Sequence, residues 1–206
     1  MKYPLYLASG SAGRKSLLAS SLIPFSPISQ NAEESQCSLL QPLETLVTEL
    51  AELKMNHVIF PSAKEGDIAF FLTADTMTMD INHKLHGKPV DRHDAVSMLK
   101  TFRTGATIGT AFCLDRKIYT NEAGWITQKR IIDYDQAWCV VDIPDAFIDF
   151  YLSNVPFMDV SGAVTIEGFG EQFVKEIRGS YSAILGLPMY KVRESLFALG
   201  FYSAML

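Results

Sequence analysis

Residues 68–80 read IAFFLTADTMTMD, and the fold turns on how that stretch is read. From Ile68 to Leu72 the sequence is unbroken apolar, which fits a strand covered on both faces inside an α/β sheet. It reaches Asp75 and passes into a short alternating segment. Open α/β sheets gather ligands at the ends of their strands, so a carboxylate at the end of the most apolar strand is a candidate for catalysis. There it could hold Mg2+ and orient a water for attack on phosphorus. The same residue could equally begin a turn with Thr76.

Upstream, 45–59 carries Leu46, Leu50 and Leu53 at helical spacing, with Lys54 at one edge. Before it, 24–42 is a polar, turn-rich loop with Glu33 and Glu34, placed along the rim of a cleft. The chain opens with a buried strand at 3–8 and a helix at 11–21, capped by Ser9 or Ser11. The junction, LASGSAGRKSLL at 7–18, puts Arg14 and Lys15 in the first helical turn. Cations are disfavoured there unless an anion joins them. A bound phosphate would resolve the conflict, facing free N–H groups, close-approaching glycine and serine backbone, and both cations. Gly10 and Gly13 stand too close together for the P-loop spacing.

Downstream, a turn at Gly87 and Pro89 carries Lys88, in reach of the same sheet end and able to offset charge on a phosphoryl group. A solvated turn lysine would read the same. A helix is expected at 92–102, then strands at 107–114, 117–126 and 130–141, with DRK and TQK as turns. A further helix starts at Pro144 and Asp145. Residues 161–188 suggest two short strands and a glycine-dense crossing, and 189–199 a last helix ending at Gly200. The whole predicts a mixed α/β sheet with flanking helices, residues 1–206 forming one domain. Glu34 and Glu167 add carboxylates that spacing alone does not bring together. His83, His86 and His93 lack the ligand pattern of structural zinc, and no G-x-S-x-G is present.

At 206 residues the chain can bury a real core, and no apolar run approaches a membrane span of about 18 residues. A net charge of −5 without a basic block argues against nucleic acid as a partner. Cys37, Cys113 and Cys139 are odd in number and widely spaced, which suits unpaired thiols in a reducing, cytoplasmic setting.

Five segments, LASGSAGRKSLL, TADTMTMD, HGKPVDRHDAVSML, IEGFG and GSYSAILGLP, resemble in order and spacing the motifs of the Maf family. Its members are nucleotide pyrophosphatases acting on noncanonical or surplus nucleoside triphosphates. The resemblance implies a two-lobed α/β fold around a deep cleft, a homodimer, and Mg2+ or Mn2+ used to split a triphosphate into monophosphate and pyrophosphate. By position it makes Ser9, Ser11, Arg14 and Lys15 a phosphate loop and Asp75 the acid that directs the water, with Glu34 beside it at the metal. Lys54 and Lys88 become catalytic cations. Glu167 falls where relatives carry glutamine or glutamate, and EGFG looks more like the branch acting on 7-methyl-GTP than the branch acting on dTTP and UTP. A carboxylate there suits guanine-type N–H donors.

Three departures stand out. Ser11-Ala12-Gly13-Arg14 replaces the usual S-P-x-R, the stretch after Phe102 lacks the usual histidine, and Asp159-Val160-Ser161-Gly162 lacks the lysine of D-K-A-G. They leave room for a second reading, a nucleotide-binding regulator with little turnover.

Overall fold

The computed structural model describes residues 3–34, 37, 38 and 40–202. A seven-stranded mixed sheet forms its centre, in the order β2 (Ser26–Pro27), β1 (Leu5–Leu7), β3 (Ile68–Asp80), β5 (Ala106–Thr120), β6 (Gly124–Val141) and β7 (Val174–Gly179). A two-residue strand, β4 (Leu85–His86), pairs with the far end of β3. β1 runs parallel to β2 and β3, and the other pairings are antiparallel. The helices are α1 (Ala12–Ser20), α2 (Leu43–Asn56), α3 (Arg92–Thr101), α4 (Asp145–Asn154), α5 (Tyr181–Ile184) and α6 (Met189–Ala198). No helix among the described residues is long and apolar enough to cross a membrane.

The unbroken apolar reading of β3 has a packing cause. Phe70, Leu72 and Ala74 join Phe112 and Leu114 against Leu18 of α1 and Val192 and Leu196 of α6. The alternate residues Ala69, Phe71 and Met77 join Ala111 and Cys113 beneath Leu46, Val47, Leu50 and Ala51 of α2. Both faces are therefore core, and each buried Leu or Phe contributes about 1.5–3 kcal/mol relative to exposure.

Three expectations are corrected. β3 does not end at Asp75; β5 pairs with it as far as Asp80, and Asp75 turns its side chain into an ion pair with Lys54 instead of starting a turn. The middle of the chain is two long strands joined at 121–123. DRK lies inside β5, because Asp115 is buried against Lys117 and Arg130, and TQK lies inside β6. Finally, 161–188 holds one strand, β7, and the helix α5 in place of two strands. Gly162 at φ +71° and Gly168 at φ +56° take the left-handed backbone that breaks extended structure there.

Candidate active site

The strand pairing leaves a notch. On the side of β3 away from β5, β1 pairs as far as Leu72 and β4 resumes at Thr78. Residues 73–77 have no strand partner on that side among the described residues. A cavity of about 1000 Å3 opens here, lined by Ser9, Ser11, Arg14, Lys54, Asp75 and Lys88 among others. Asp75 is thus mid-strand, yet just past the end of the parallel pairing with β1, where a ligand site is expected.

Lys54 belongs to the buried stripe of α2, together with Leu46, Val47, Leu50 and Ala51. It is therefore a core-facing residue, not one at a solvent-facing edge. Its ammonium lies 2.5 Å from Asp75 Oδ1 and 3.0 Å from Glu34 Oε1, and in the last turn of α2 it also meets the negative end of the helix. Thr73 fixes α2 over the strand, its hydroxyl donating to the carbonyl of Ala51 at 2.6 Å.

Only one oxygen of Asp75 is satisfied. Oδ2 is buried without a hydrogen-bond partner. Burial holds the carboxyl above the usual carboxylate range, against the opposing pull of Lys54 and Arg14. A carboxylate with raised proton affinity and a free lone pair, facing a cleft, is equipped to take a proton from water.

Arg14 is buried as well. Its Nε donates to Gly186 O at 2.8 Å, one Nη to Ser9 Oγ at 3.1 Å and the other to Thr76 Oγ1 at 3.0 Å. A guanidinium has five N–H donors, so donors remain for a ligand. Burial lowers its pKa from the ordinary value, and the charges of Asp75 and Glu34 oppose that. Ser11 is the cap of α1, its hydroxyl accepting the Arg14 amide at 3.4 Å, while Ser9 braces the guanidinium. Gly13 lacks a side chain because the chain leaves no room for one: a Cβ there would lie 2.7 Å from Leu185 O.

Lys15 is not brought into this cleft. It borders a neighbouring hollow of about 330 Å3 with Ser9, Gly10 and Gln30, because successive helical residues point about 100° apart. Lys88 and Glu167 are exposed on the cleft wall, and neither side chain makes a hydrogen bond or ion pair among the described residues. Among those residues no group of three or more His, Cys, Asp or Glu could hold a metal; the carboxylates of Glu34 and Asp75 flank Lys54. The sequence does not single out Thr76 or Gly186, although both sit in the quoted motifs, Thr76 directly after Asp75.

Residues 4–199 match the family model described as Maf-like protein. The chain is 30% identical to a dTTP/UTP pyrophosphatase of Acholeplasma laidlawii, over 93% of this chain and 94% of that one. It is 30% identical to a dTTP/UTP pyrophosphatase of Hydrogenovibrio crunogenus, over 98% and 100%. A nucleoside triphosphate pyrophosphatase of Nostoc punctiforme is also 30% identical, over 96% and 94%.

Proposed function

The chain belongs to the Maf family, and on that footing we propose that its cleft hydrolyses a nucleoside triphosphate to the monophosphate and pyrophosphate. The observation that carries this is the Lys54–Asp75 pair, 2.5 Å apart and buried, with Asp75 Oδ2 unpartnered beside the amino end of α1. The triphosphate lies against that helix end, where Ser9, Ser11 and Arg14 meet its oxygens. Asp75 orients a water towards the α-phosphorus and accepts its proton. A new P–O bond forms there as the bond to the bridging oxygen breaks, and pyrophosphate leaves with that oxygen. Arg14, Lys54 and Lys88 offset the charge that develops on it.

A divalent ion suits the donors present. Mg2+ is commonly held by one or two carboxylates with substrate phosphates completing the shell, and Asp75 Oδ2 and the half-exposed Glu34 are two such groups. They would hold Mg2+ or Mn2+, which would supply charge neutralisation at the phosphates.

For the base, the reading favours a ring rich in N–H donors, 7-methyl-GTP before dTTP or UTP. Its support is that Asp159 and Glu167, both acceptors, carry the charges on the cleft-lining part of 154–169. The names of the relatives supply the competing substrates. Purified protein with Mg2+ and a panel of 7-methyl-GTP, GTP, dTTP and UTP tests both levels. Pyrophosphate as first product is expected, fastest from 7-methyl-GTP. Faster dTTP or UTP turnover overturns the base preference alone; orthophosphate first, or tight calorimetric binding with no product, overturns the hydrolytic reading.

A further inference from the structure

The motif at 179–188 carries part of the family resemblance, and the cleft chemistry gives most of it no task. Its turn nevertheless meets Arg14 twice. Gly186 O takes the Nε–H directly at 2.8 Å. The second route runs through two threonines. Thr76 and Thr110 are register partners on β3 and β5, their hydroxyl oxygens 2.8 Å apart, and Thr110 is fully buried.

The direction of this chain is settled by proton count. The carbonyl of Ala183 can only accept, so Thr110 donates its single hydroxyl proton there, at 2.7 Å. Thr110 must then accept from Thr76. Thr76, its own proton spent, accepts from the Nη of Arg14 at 3.0 Å. Each hydroxyl is used once as donor and once as acceptor, and the guanidinium is held at two nitrogens by one turn. That turn is itself closed by the Gly186 amide donating to Ala183 O at 3.0 Å. It also lies against α1, at Gly13.

We propose that Thr110 is a positioning residue: acting through Thr76, it ties the Arg14 guanidinium to the Ala183–Gly186 turn and so sets its aim at the substrate phosphates. This rests on the reading of the cleft as a triphosphate site. Thr110 does not touch the substrate; it removes the rotational freedom of a cation that does, and small displacements of such groups lower rates steeply.

The test is Thr110→Val, nearly isosteric, with Thr110→Ser as rescue. Thermal unfolding is followed alongside. Steady-state kinetics on the best triphosphate should show KM raised by about tenfold, the scale of one lost hydrogen bond to a charged group, with Thr110→Ser close to the parent. A merely destabilised protein would lose active fraction, lowering apparent kcat and leaving KM alone. In an Arg14→Ala background Thr110→Val should add nothing. Independently of turnover, nitrogen NMR of the Arg14 side chain should resolve its Nη groups in the parent and merge them in Thr110→Val. Unchanged NMR and KM in Thr110→Val, or an equal KM effect in both backgrounds, overturns the proposal. If no triphosphate is hydrolysed, the functional reading falls and the NMR comparison still decides the positioning.

Discussion

Two buried carboxylates lie on the α2 side of the same strand pair and are treated in opposite ways. Asp115, on β5, is fully enclosed. Arg130 reaches it with Nε at 2.7 Å and Nη at 2.9 Å, Lys117 lies 2.9 Å away, and the Thr127 hydroxyl donates at 3.3 Å. Burial pushes its carboxyl up, but these hydrogen bonds and charges outweigh that, and it sits below the usual range. Asp75 meets one lysine and keeps an oxygen without a partner, and it sits above that range. One site is closed by its own chain and the other is left open for a ligand. Incomplete satisfaction in a cleft marks a functional carboxylate; complete satisfaction marks a structural one.

The largest expected effect breaks the open site. Asp75→Asn keeps the shape and removes the proton acceptor, so pyrophosphate release should fall by about a thousandfold. The melting temperature should hold or rise, since a poorly compensated buried charge is gone. Unchanged turnover would remove Asp75 from the mechanism. The converse change, Asp115→Asn, should leave KM near the parent value while lowering stability in urea by about 3 kcal/mol, because Arg130 and Lys117 lose their shared partner. A loss confined to activity would erase the distinction between the two sites.

Much of this contrast can be read from the sequence, and the unread part has a physical reason. Helical and strand periodicity locates α2, α3 and α6 to within a few residues, because their faces pack on the central sheet. Asp75, Lys54 and Arg14 stand in recognisable motifs, and the cleft brings them together. Asp115 reads as a turn residue because DRK looks solvated until Arg130, fifteen residues on, is folded across it. Lys15 reads as a companion of Arg14 because adjacency in sequence hides a rotation about the helix. Thr110 gives no signal at all: a threonine in a strand looks like β-propensity, and its role exists only once Ala183 O is 2.7 Å away.

The smallest effect sharpens the comparison through its sign. For Asp115 the native carboxyl binds protons more weakly than the unfolded one, so the unfolded state holds more protons between the two pKa values and stability rises with pH. Its contribution is present above the ordinary Asp value near 3.8 and is lost as pH falls below it. For Asp75 the native carboxyl binds protons more tightly, so the native state holds more, and stability falls as pH rises from about the same value towards the raised native one. Each slope is at most about 1.4 kcal/mol per pH unit. Urea unfolding from about pH 3 to 7 in the presence of a chelator, on the parent and both Asn variants, separates them. Asp115→Asn should flatten the acid limb below about pH 4, and Asp75→Asn should gain on the parent as pH rises above it. Two variants that shift the profile in the same direction would mean that the two carboxylates are held alike, and the open valence of Asp75 would lose its standing as the sign of a ligand site.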